Sequence, residues 1–101
     1  MTPSSSAPPA HPSAPLPATA AQIEAALHAA LAPTVLEVID ESAAHAGHAG
    51  ANAWGYGSHI RIRIAAPQFN GLSRIGRHRL VYDALRPFIA RGLHAVTIET
   101  D

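Results

Sequence analysis

Cysteine is absent from this 101-residue chain. That removes disulfides, thiolate nucleophiles and thiolate metal ligands together. Lysine is absent as well. Seven arginines balance seven aspartates and glutamates, so no global field draws the chain to nucleic acid or to an anionic membrane. Any such attraction must come from a local patch. Large core formers are scarce: two Phe, two Tyr, one Trp and one Met. No apolar run approaches the roughly 20 residues that span a bilayer. The N-terminus lacks a basic start followed by an apolar run, and it lacks the arginines of a transit peptide. We therefore expect a cytoplasmic protein with no membrane attachment.

What the chain does hold is histidine, seven in all: His11, His28, His45, His48, His59, His78 and His94. Without cysteine they are the only soft-metal ligands available. The length suits one domain with a modest core and little room for a deep catalytic cleft.

Residues 1–18 read as a disordered tail. Pro3, Pro8, Pro9, Pro12, Pro15 and Pro17 oppose helix and sheet, and only Leu16 is a sizeable apolar residue after Met1. The domain then occupies residues 19–101. Thr19 and Gln22 have capping-box spacing, and Ile23, Ala26, Leu27, Ala30 and Leu31 follow at helical spacing until Pro33. Val35 to Glu41 is rich in β-branched residues and reads as a strand. Ser42 to Ser58 is a long loop of alanine and glycine. In His59 to Ile64 the isoleucines alternate with His59, Arg61 and Arg63, giving a buried face and a wet one. Pro67 to Gly71 is a turn. A second helix runs from an N-cap at Ser73 to Arg86, interrupted by Pro87, with a separate short helix to Arg91 and a glycine cap at Gly92. Leu93 to Glu99 is the closing strand. The order helix, strand, strand, helix, short helix, strand predicts a two-layer α+β domain with a three-stranded sheet.

Several blocks of this chain resemble the BolA-like family. They are Leu36-Glu37-Val38-Ile39-Asp40-Glu41-Ser42, Ser58-His59-Ile60, Phe69-Asn70-Gly71, Arg77-His78-Arg79-Leu80-Val81-Tyr82 and Leu93-His94-Ala95-Val96. They occur in the family's order and cover Ile23 to Ile98. The resemblance implies a fold similar to class II KH domains. It implies a partnership with monothiol glutaredoxins and their glutathione, in which a [2Fe–2S] cluster is shared and the BolA-like side supplies histidine. The ligand carried over is His94. A second lies in the long loop, a few residues after Glu-Ser, where His45 stands and His48 follows. Some relatives are described as DNA-binding transcription regulators of the stress response.

Chemistry agrees with such a role, since neutral imidazole replaces thiolate on one iron of some [2Fe–2S] centres. Each residue also has a plainer reading. His94 could be a core histidine, because it shares a face with Val96 and Ile98. His45 and His48 could be solvated loop residues. His78 is expected to pack near Val81 and tie its helix to the sheet. Arg74, Arg77 and Arg79 could bind phosphate, DNA or glutathione carboxylates, or form a solvated face. His59, Arg61 and Arg63 read as solvent-exposed, and nothing singles out His11 or His28.

An enzyme is not expected. Ser73, His78 and Asp83 lie on one helix with no strained elbow to present the serine. The Gly71-to-Gly76 stretch lacks the Gly-x-x-Gly spacing of RNA-clamping KH loops. The sequence thus predicts a non-catalytic adaptor completing a cluster shared with a glutaredoxin, or alternatively a DNA-binding regulator. Free in solution it would be a monomer or a weak homodimer.

Overall fold

The computed structural model describes residues 16–45 and 54–100. Two α-helices and three strands are arranged as α1 (Ala20–Leu31), β1 (Val35–Asp40), β2 (His59–Ala65), α2 (Arg74–Ile89) and β3 (Ala95–Thr100). Single 3-10 turns, Ser42–His45 and Pro67–Phe69, follow β1 and β2. The sheet order is β1-β2-β3. β1 runs antiparallel to β2, with Asp40 opposite Ile60, and β3 runs parallel to β2, with His59 opposite Ala95.

The core follows from the two periodicities in the sequence. Ile23, Leu27 and Leu31 recur every four residues on α1 and are buried. Val81, Leu85 and Phe88, at spacings of four and three, are the buried residues of α2. β2 is the central strand, so both its neighbours shield Ile60, Ile62 and Ile64, which are 2%, 0% and 0% exposed. Leu36 and Val38 of β1 and Val96 and Ile98 of β3 extend that face, and both helices cover it. The capping box forms as the spacing requires: Gln22 N–H donates to Thr19 Oγ1 at 3.1 Å, and Thr19 N–H to Gln22 Oε1 at 3.1 Å.

Three expectations need correction. Pro87 does not divide the second helix; α2 is continuous to Ile89. Proline there forfeits one backbone hydrogen bond near the helix end, where the last turn is held by burial of Phe88 and by Ala90 N–H donating to Arg86 O. Gly92, at φ +103°, then lets the chain leave the helix. The last strand begins at Ala95 rather than Leu93, because Leu93 turns into the core. The packed domain also begins earlier than Thr19, since Pro17 and Ala18 are buried.

The topology positions the candidate site. Parallel strands share an orientation, so β2 and β3 start at the same end of the sheet, and antiparallel β1 finishes there. Asp40, His59 and His94, far apart in sequence, meet at that end.

Candidate metal-ligand site

The long loop leaves β1 and returns to β2 at this sheet end, and its two stems are stitched together. Asp40 is the first stitch. Its Oδ1 accepts from Ser42 N–H at 2.8 Å, as aspartate does in tight turns. Its Oδ2 accepts from Gly57 N–H at 2.9 Å. Ser42 is the second. Its hydroxyl oxygen accepts from the N–H groups of Ser58 (2.9 Å) and His59 (3.1 Å). Ser42 and Ser58 are both 1% exposed, so these bonds satisfy amides that water cannot reach.

Ser58 carries the order on to β3. Its carbonyl accepts from His94 N–H at 2.9 Å and Ala95 N–H at 3.0 Å. Its hydroxyl shares a 2.9 Å hydrogen bond with Nδ1 of His59. The rings of His59 and His94 then lie 5.6 Å apart between centroids, tilted by 54°. His94 is exposed while His59 is only 8% exposed. His94 is therefore not a core histidine: its backbone is pinned and its imidazole stands at the surface.

His59 departs from the expected solvent-exposed strand face. Alternation places it opposite the isoleucines, but it sits at the strand's first position, where His94 and the Ser58 hydroxyl cover it. Sequence reasoning missed it as a site residue. The available signal was its place beside Ser58 at the start of a strand, but the parallel pairing that brings His94 alongside cannot be read from alternation.

His45 closes the 3-10 turn that begins at Ser42, so its backbone leaves from the same stitched stem. The side chain of His45 and the whole of His48 lie outside the described residues. Among the described residues, no group of three or more His, Cys, Asp or Glu could hold a metal ion between them.

The remaining predicted residues lie on α2. His78 stands one turn before Val81 on α2 and is half-buried. Its Nε2 is buried without a hydrogen-bond partner among the described residues, so no bond from that atom ties the helix to the sheet. Arg74 and Arg79 are exposed, whereas Arg77 is half-buried and its Nε donates to Leu72 O at 3.2 Å. The three arginines border two shallow recesses, and Arg77 also borders a third with Thr34, Phe69 and Asn70. Arg74 and Arg77 border one with Ile98, Glu99 and Thr100, and Arg79 borders another with Tyr82, Asp83 and Arg86. These last two each contain a carboxylate, which dilutes their positive character.

An α+β domain with this sheet and these two helices has known counterparts, and the chain belongs to the BolA-like protein family, which it matches over residues 27–101. Among individual relatives, it is 46% identical over 78 residues to the Sinorhizobium protein named "Uncharacterized protein in cobS 5'region", covering 76% of this chain and 83% of that one. It is 40% identical over 79 residues to mouse BolA-like protein 1, covering 78% of this chain and 54% of the relative, so it spans about half of the mouse protein's length. The solved structure of the BolA domain of SufE1 from Arabidopsis thaliana matches with a TM-score of 0.71 at 38% identity, over 81% of this chain and 88% of that one.

Proposed function

We propose that this chain is a non-catalytic adaptor that binds a monothiol glutaredoxin with its glutathione and co-ligates a [2Fe–2S] cluster, for cluster trafficking or iron sensing. The observation that carries this reading is the placement of His94: an exposed imidazole on a backbone pinned by its hydrogen bond to Ser58, at the sheet end from which the His45 loop departs. The cluster is cargo. The glutaredoxin side would bring the thiolates this chain lacks, and this chain would bring nitrogen from His94 and from His45 or His48. A pinned backbone limits the ordering cost of bringing such a ring to metal. Ligation requires the deprotonated ring, so assembly would weaken in acid.

The test is to mix the pure proteins with a reconstituted cluster and record visible absorption and circular dichroism. The expected result is a spectrum distinct from that of the glutaredoxin alone, altered or lost in His94→Ala. An unchanged spectrum in that variant overturns the assignment. A DNA-binding role through Arg74, Arg77 and Arg79 has less support, because those arginines are split between recesses that also hold Asp83 and Glu99. That role would require duplex binding that persists between about 50 and 200 mM salt.

A further inference from the structure

The segment Leu16–Ala18 lies beside the stitched loop. Pro17 and Ala18 are buried, Ala18 to 1% exposure. Their seat is Gly57, the residue immediately before Ser58. A Cβ on Gly57 would stand 2.6 Å from Pro17 Cβ and 2.7 Å from the Ala18 carbonyl oxygen, closer than real side chains come. Gly57 also has φ +77°, a region that other residues enter at a cost. Its N–H is held by Asp40 at 2.9 Å, so it cannot withdraw without breaking the stitch.

The far side of the segment is held by Arg91, just beyond α2. Its Nε donates to Leu16 O at 2.9 Å, and its Nη2 donates to Pro17 O at 3.4 Å and to Gln22 Oε1 at 3.3 Å. Its guanidinium carbon is 5.8 Å from the centroid of the Phe88 ring, a cation–π arrangement. Gln22 is the same side chain that closes the capping box of α1. One arginine therefore joins the end of α2, the start of α1 and the Leu16–Ala18 segment.

We propose that Leu16–Ala18 is a strap that sets the geometry of the two imidazoles, with Gly57 as its seat and Arg91 as its clasp. Gly57 and Arg91 are then positioning residues. Contact of Pro17 and Ala18 with Gly57 places Ser58. Ser58 in turn holds His59 by its hydroxyl and His94 by its carbonyl. The consequence for cluster ligation rests on the function proposed above; the consequence for ring placement does not.

The test uses the full chain at fixed pH and compares Gly57→Ala, Arg91→Gln and Pro17→Gly with Ile64→Val. The last is a core change at the opposite end of β2 that lowers stability without touching the strap. The readouts are the imidazole ring NMR signals of His59 and His94 in the metal-free protein, and amide exchange at Gly57 and Ser58. The three strap variants are expected to move both ring signals beyond their line widths. They should also speed the two amides about tenfold, as loss of a clasp of this kind would. Ile64→Val should leave the rings in place. Should Gly57→Ala fail to fold, Arg91→Gln and Pro17→Gly decide the question. Ring signals that stay fixed in those two variants while stability falls overturn the strap. If the rings move but the wild-type protein forms no mixed cluster with a glutaredoxin, the strap stands and the cluster reading falls. A normal mixed cluster with unmoved rings does the opposite: the cluster reading stands and the strap falls.

Discussion

The two faces of β2 obey different rules. On one, Ile60, Ile62 and Ile64 are uniformly sealed, because helices cover that face along its whole length. On the other, burial is graded: His59 is buried, Arg61 half-buried and Arg63 exposed. Among the described residues no helix lies over this second face, so each side chain's environment depends on what reaches it from the flanking strands and the strand ends. At the His59 end those elements are Ser58 and His94. The lesson is that hydrophobic alternation fixes the character of a face backed by a layer, but says little about a face whose cover is local. His59 and the candidate ligand His94 stand where the cover is of the second kind.

The largest test of the contrast is Ile62→Ala. Ile62 is fully buried at the centre of the central strand, and truncation there should cost about 2–5 kcal/mol, read from denaturant unfolding. The His59 and His94 ring signals should change little while the protein remains folded. A large change in them would mean that the site senses the core directly, and the separation of faces would fail.

Ser42→Ala should have a smaller effect on stability and a larger one on the site. Removing the hydroxyl leaves the buried N–H groups of Ser58 and His59 without their acceptor, at a cost of about 1–3 kcal/mol. The imidazole pair should shift, since both rings hang from Ser58. Unchanged stability would mean that water replaces the hydroxyl, and Ser42 would then lose its place as a stitch.

These two residues also mark what could be read in advance. Ile62 announces itself by alternation, as Ile23 and Leu27 do by helical spacing, so the α+β order and the helix caps at Thr19 and Ser73 were legible. Pro87 misled because its usual helix-breaking effect was outweighed by the packing of Phe88. The site was legible only in part. His94 stood out through the resemblance, while the Asp40–Ser42–Ser58 stitching depends on bonds across 16 or 17 residues that no local pattern encodes. The strap is hidden from local pattern for the same reason. A proline-rich stretch carries no sign that Arg91, 75 residues beyond Leu16, donates to its carbonyls.

The smallest expected effect belongs to Arg61, in the middle of the open face. Its Nε reaches Glu41 at 3.0 Å and its Nη1 reaches Glu99 at 2.6 Å, so one side chain links the end of β1 to β3 across β2. The hydrogen bond and charge of Glu41, followed by those of Glu99, raise the guanidinium above its ordinary value. A raised cation gives stability that is complete below its unfolded value and is lost only as pH climbs through the folded one. Titration of Arg61 therefore cannot make stability vary across the neutral range, and salt is the lever instead. All three side chains are about a third or more exposed, so the attraction is open to screening. Arg61→Met, which keeps the stem and removes the charge, should lower the melting temperature slightly in dilute buffer. The difference from wild type should shrink in about 1 M salt, where the Debye length falls to roughly 3 Å. A penalty that persists undiminished at high salt would show that packing of the arginine stem, rather than its charge, holds this face together.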